Sequence, residues 1–243
     1  MFNLLQSRNG LLIDLVYKTI RFNDLVANMS VFKDLATAQL CFHIAKTFSK
    51  YQRMQTELMN KKKEIIEFIM DCLRDPEISV LDKRQALQLI PFFSIDQESV
   101  DIFTRLRLEE SLLDVLKNPL ANDGVVSQAL KAIVMMHASS IAFDKDASVG
   151  KVFSDKDGVL LVLQLLDRRM ADEKLHWKVV LRIVQALFVL CFRDSNVKTL
   201  KQENVLRKLV DLVIRAHEQR VNEAVVAILK LFTFFSEDQT TWS

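Results

Sequence analysis

The sequence holds only 4 glycines and 3 prolines in 243 residues. So little turn punctuation favours helices joined by short polar loops over strands and hairpins. Four glycines also leave little material for phosphate-cradling or nucleophile-elbow loops, and no Gly-x-Gly-x-x-Gly, P-loop or Gly-x-Ser-x-Gly pattern occurs. Cysteine is sparse as well. Cys41, Cys72 and Cys191 are an odd set at wide spacing, each inside an apolar run, which argues against a disulfide framework and for packing thiols in a reducing compartment. The expected location is the cytoplasm, with the nucleus as the other compartment that fits. No sign of charge dominates. With 33 basic against 31 acidic residues, the summed field gives no reason to expect nucleic acid or an anionic membrane as the partner. No cationic stretch followed by an apolar one opens the chain, and no run approaches the ~18 apolar residues of a membrane span. Export and membrane insertion are therefore not expected.

What the sequence does have is apolar residues, half of the total, and they recur. Asp157 to Leu166 reads Asp-Gly-Val-Leu-Leu-Val-Leu-Gln-Leu-Leu, a pattern for a buried helix. Positions 47 residues apart, Ile69, Leu116, Leu163 and Val210, each lie in such a cluster. A second set of markers gives another period. Leu73-Arg-Asp-Pro76 and Leu116-Lys-Asn-Pro119 share the form Leu-x-x-Pro, in which proline ends a helix because it lacks an N–H and its ring clashes with the preceding turn. Ten residues after each proline comes the alanine of a Gln-Ala-Leu triplet, at Ala86 and Ala129, and a third triplet contains Ala186. A small alanine at a fixed place predicts close approach of neighbouring helices. By these markers the first period is 43 and the next interval is 57, which implies an insertion at Phe143 to Gly158. The clusters and the triplets differ by four residues, about one helical turn, so the register stays open between them.

The order Leu-x-x-Pro, a valine (Val80 or Val125), an alanine-led helix, a short middle helix and then Gly158-Val159-Leu160 with Val162, Leu163, Leu165 and Leu166 resembles the armadillo/HEAT-like repeat. The resemblance covers about 35 to 235 and implies an all-α fold, a right-handed α-solenoid of about four to five repeats. Residues 1–30 are expected to form N-terminal capping helices and 31–243 the repeat domain, with units about 35–75, 80–118, 125–168 and 178–216 and a partial one at 221–235. The last helix of each unit would line a concave groove.

Chemistry is harder to find. His43, His137, His176 and His217 have no companion ligands at metal spacing. Asp144, Asp146 and Ser148 begin like a calcium loop, but Gly150 falls one place late and Asp155 stands where a bidentate glutamate is wanted. No metal, cofactor or catalytic constellation is expected, and the chain reads as no enzyme. The importin-type use of repeated tryptophan and asparagine is not carried over, since Trp177 and Trp242 form no such array. The expected function is a protein–protein interaction scaffold holding a peptide or helix of a partner. Its groove residues are Lys62, Glu67, Asp71, Arg74, Asp114, Lys117, Lys208, Asp211 and Arg215, a mixed-charge set suited to a protein segment. The alternative is a structural module of a larger assembly, a homo- or hetero-oligomer, packed through apolar end faces at Phe2–Val26 and Val221–Phe235.

Overall fold

The computed structural model describes residues 52–142, 151–155, 157–172 and 175–235. The expected capping helices at 1–30 and the helix expected from Val31 to Ser49 lie outside these residues. The fold is all-α, with no strand among the described residues. The helices are α1 (Gln52–Asn60), α2 (Lys62–Arg74), α3 (Val80–Phe93), α4 (Gln97–Arg105), α5 (Leu108–Lys117), α6 (Asp123–Ala142), α7 (Lys151–Asp155), α8 (Gly158–Met170), α9 (Trp177–Leu190), α10 (Asp194–Gln202), α11 (Val205–Glu218) and α12 (Asn222–Phe232), followed by a 3-10 turn, Thr233–Phe235.

Their ends follow from local chemistry. α2 stops at Arg74 and α5 at Lys117, each two residues before a proline. Ser79 caps α3, its Oγ accepting the Asp82 N–H at 3.2 Å and donating to the Asp82 carboxylate. Asn122 caps α6 by accepting the Val125 N–H at 3.1 Å. Pro91 lies inside α3, two residues short of its last residue, Phe93. α5, α8 and α11 share a further device. Each is preceded by a left-handed residue that is not glycine, Arg107 (φ 56°), Asp157 (φ 56°) and Asn204 (φ 53°), and Arg220 (φ 58°) plays a similar part just ahead of α12.

The chain divides into two compact units, Met1–Ser111 and Leu112–Ser243. In the first, α2 packs on α1, α3 and α4, burying Ile65, Ile66, Ile69 and Met70 among Leu87, Ile90, Phe93 and Phe103. In the second, alternate long helices stack, α6 on α9 and α9 on α12. α8 lies against α7, α9 and α10, while α11 lies against α10 and α12. The triplet alanines Ala86, Ala129 and Ala186 are all fully buried. The stretch expected to be an inserted loop at Phe143 to Gly158 contains α7, which packs on α8; residues 143–150, with most of the calcium-like stretch, lie outside the described residues.

Candidate interaction surface

The basic residues singled out in the sequence mostly reach across to neighbouring helices. In the first unit Lys62 Nζ lies 2.9 Å from Asp96 Oδ1 and 2.6 Å from Glu98 Oε2. Asp96 also caps α4, accepting the Ser99 N–H at 3.3 Å and the Ser99 hydroxyl. A single carboxylate thus starts one helix and ties it to another. Burial alone would raise the Asp96 pKa, but hydrogen bonds from Ser99 and the Lys62 ammonium outweigh it and hold the carboxyl below its ordinary value. The hydrogen bond to Glu98 raises the Lys62 pKa against some desolvation, with Asp96 adding to the rise. Arg74, exposed at the end of α2, donates to the Leu106 carbonyl at the end of α4, where helical carbonyls lack intrahelical partners. Glu67 and Asp71 are exposed on α2, one turn apart.

Asp96→Ala should lower stability by about 1 kcal/mol through the lost cap, and the loss should depend on pH. Because the folded pKa is depressed, the carboxylate's contribution is present above the unfolded value of about 3.9 and disappears as pH falls through the lower folded value. Denaturant titrations of the wild type and the variant should therefore differ at neutral pH and converge in acid; a gap independent of pH would show that the carboxylate charge is not its source. The raised Lys62 pKa works at the other end, with its contribution present below the ordinary lysine value of 10.5 and lost as pH climbs through the raised one.

The second unit repeats the device. Lys208 Nζ on α11 meets Asp167 Oδ2 on α8 at 2.9 Å, and Arg215 donates to the Met170 carbonyl, the last of α8, at 3.0 Å. Arg169 of α8 pairs with Asp123 at the start of α6 and lies 3.7 Å from Asp172, and His176 Nδ1 stands 3.4 Å from the other Asp123 oxygen. The Trp177 indole N–H donates to Gln219 Oε1 at 2.6 Å. Asp114 and Lys117 are exposed on α5, and Asp211 is exposed on α11. Of the nine groove candidates, then, Lys62, Arg74, Lys208 and Arg215 join helices of their own unit, while Glu67, Asp71, Asp114, Lys117 and Asp211 face solvent.

Sequence reasoning did not single out the acidic halves of these pairs, Asp96, Asp123 and Asp167. A usable signal was present. The Lys208–Asp167, Arg215–Met170, Arg169–Asp123 and Trp177–Gln219 bonds join residues 41, 45, 46 and 42 apart, so a search for opposite charges about one repeat apart would have found two of the acids. Asp96-x-x-Ser99 is itself a capping pattern.

Two further features lie in the second unit. α11 and α12 carry exposed apolar residues, Val210 and Ile214 on one and Val226 and Leu229 on the other. Between α10 and the 3-10 turn lies a cleft of about 510 Å³, lined by Phe192, Val197, Lys198, Lys201 and Phe234 among others. Cys191 beside it is buried, and desolvation pushes its thiol up to about 12, far from the thiolate form that reacts. Among the described residues no group of three His, Cys, Asp or Glu side chains is placed to hold a metal ion, and no helix is long and apolar enough to cross a membrane.

No protein-family model matches the chain, and no curated protein matches it. Among solved structures it is similar to the crystal structure of an engineered protein from the Northeast Structural Genomics Consortium. The TM-score is 0.68 at 13% identity, over 96% of this chain and 87% of that one. A likeness at this identity speaks for the helical fold alone.

Proposed function

We propose that the chain is a non-catalytic interaction scaffold, an armadillo/HEAT-like α-solenoid of about four to five repeats that holds a peptide or helix of another protein, acting in the cytoplasm. Two observations support the repeat reading. A left-handed residue recurs just before α5, α8 and α11, and four side-chain hydrogen bonds in the second unit join residues 41 to 46 apart. Such a spacing is what stacked units of one length produce. Since Lys208 and Arg215 are engaged with α8, the partner would be read by the exposed side of α11, where Arg207, Val210, Asp211 and Ile214 combine apolar contact with both signs of charge. A few buried apolar anchors would supply most of the affinity and the charges would set register.

The exposed apolar residues favour one second reading, a module packed into a larger assembly through Val210, Ile214, Val226 and Leu229. One experiment separates the two. The intact chain is used as bait in cell extract beside a variant carrying Arg207→Glu, Asp211→Lys and Ile214→Asp, and both are weighed by light scattering. The scaffold reading expects a stoichiometric partner whose retention drops at least about tenfold in the variant, with the bait monomeric. Retention unaffected by the triple change would remove α11 as the binding face. Mass that grows with concentration, and falls on Val226→Asp with Leu229→Asp, would favour the assembly module.

A further inference from the structure

α12 exposes apolar side chains at positions where α9, the helix it stacks on, is covered. The two helices begin at Trp177 and Asn222, 45 residues apart, a spacing within the range of the four hydrogen bonds that join residues of the second unit. At that offset Leu229 takes the place of Val184. Val184 is 1% exposed on a helix that packs on both α6 and α12, whereas Leu229 is 53% exposed. No α-helix follows α12 among the described residues.

The outward line of α12 runs through Asn222, Val226 and Leu229, all exposed, at intervals of four and three residues, the spacing of a two-helix seam. Glu223 and Lys230 are exposed too, two turns apart on one flank of that line, and neither forms an ion pair within the described residues. Two copies laid antiparallel about a two-fold axis put Val226 of each against Leu229 of the other. The same flank of both helices then meets across the axis, so Glu223 of each copy faces Lys230 of the other. A parallel pair would instead set that flank against the one carrying Val225 and Phe232, leaving both charges without a counterpart.

We propose that the exposed face of α12 binds a second copy of this chain, α12 against α12 and antiparallel, with Val226 and Leu229 at the apolar centre and two Glu223–Lys230 pairs fixing direction and register. The inference rests on the second reading, a module packed through its exposed apolar residues, and names the occupant. The α11 residues assigned to reading a partner take no part in it. A contact of one helix pair lies at the small end of protein interfaces. The dissociation constant is therefore expected to be on the order of 10–100 µM, and bait at the dilution of an extract stays largely monomeric.

Sedimentation equilibrium of the intact chain from about 5 to 500 µM, a range that brackets this constant, should show reversible dimerisation. Val226→Asp with Leu229→Asp, both at exposed positions, should weaken it at least about thirtyfold. Glu223→Lys and Lys230→Glu should each weaken it about fivefold by setting like charges across the axis. An equimolar mixture of these two single variants, or both changes in one chain, should restore it, a recovery that mere loss of surface charge does not produce. Absence of a dimer at the highest concentration would overturn the proposal. If another protein were then retained from extract and lost on Val226→Asp with Leu229→Asp, the module reading would stand with a different occupant; with neither dimer nor partner, it would fall as well. Dimerisation that survives the α12 changes but disappears on Val210→Asp with Ile214→Asp would overturn the proposal in favour of α11 as the seam. A mixture of the two charge variants that associates no better than either alone would overturn the antiparallel pairing.

Discussion

Leu187→Ala is expected to cost about 2–5 kcal/mol, a large part of the 5–15 kcal/mol that typically holds a domain together. α9, which carries Leu187, packs on α6, α8 and α12, so three interfaces of the second unit meet along this helix. Its buried side is wide, comprising Val179, Val180, Ile183, Val184, Ala186, Leu187, Val189 and Leu190. Leu187 is fully buried. Removing its isobutyl group loses the transfer free energy of the missing carbons and leaves a cavity that close-packed neighbours fill only in part. Val226→Ala provides the control, since Val226 is 53% exposed and should change stability by less than about 0.5 kcal/mol. Urea unfolding followed by far-ultraviolet circular dichroism reads both. A midpoint shift with an unchanged slope is the expected result for Leu187→Ala, whereas a loss below about 1 kcal/mol would mean that this position is not closely packed.

Much of the helical core was legible in the sequence because burial on a helix leaves a 3.6-residue imprint. The clusters at Ile65–Ile69, Leu112–Leu116 and Val159–Leu166 are buried, and the Leu-x-x-Pro stops at Pro76 and Pro119 follow the ends of α2 and α5. The triplet alanines, expected from their recurrence to sit where helices approach closely, are fully buried. Less legible was α7, a helix of five residues within a polar stretch, which is too short to carry a periodic signal. The left-handed residues ahead of α5, α8 and α11 were hidden too. The usual marker is glycine, and here arginine, aspartate and asparagine take its place. Charge was the least readable layer. Lys62, Lys208 and Arg215 are surface-type residues in a linear reading, and only the fold brings Asp96, Asp167 and the Met170 carbonyl within reach of them. Their pairing depends on residues tens of positions away, which local periodicity does not encode. The Phe188–Phe192–Phe234 cluster joins α9 to the turn after α12 and was invisible on the same ground.

Gly158→Ala is expected to destabilise by about 1–3 kcal/mol, the reverse of the gain of roughly 0.4–1 kcal/mol that a helical glycine-to-alanine change gives where the site can accept a methyl. Gly158 is the first residue of α8 and is buried. A Cβ placed on it would fall 2.6 Å from Phe153 Cδ1 and 2.9 Å from both the Cα and the carbonyl oxygen of Phe153. Backbone is therefore in the way as well as ring. Phe153 is itself fully buried, with its ring edge-on to His137 at 5.9 Å between centroids, so α7 has little room to retreat. The glycine is thus needed for the close approach of α7 and α8 and not for an unusual φ. A double-mutant cycle makes the distinction. In a Phe153→Ala background the ring obstacle is gone but the two backbone atoms remain, so most of the Gly158→Ala penalty should persist. If it vanished there, the ring alone would be the obstacle, and α7 would be free to shift along α8. If Gly158→Ala stabilised the wild-type chain, the close approach itself would be disproved.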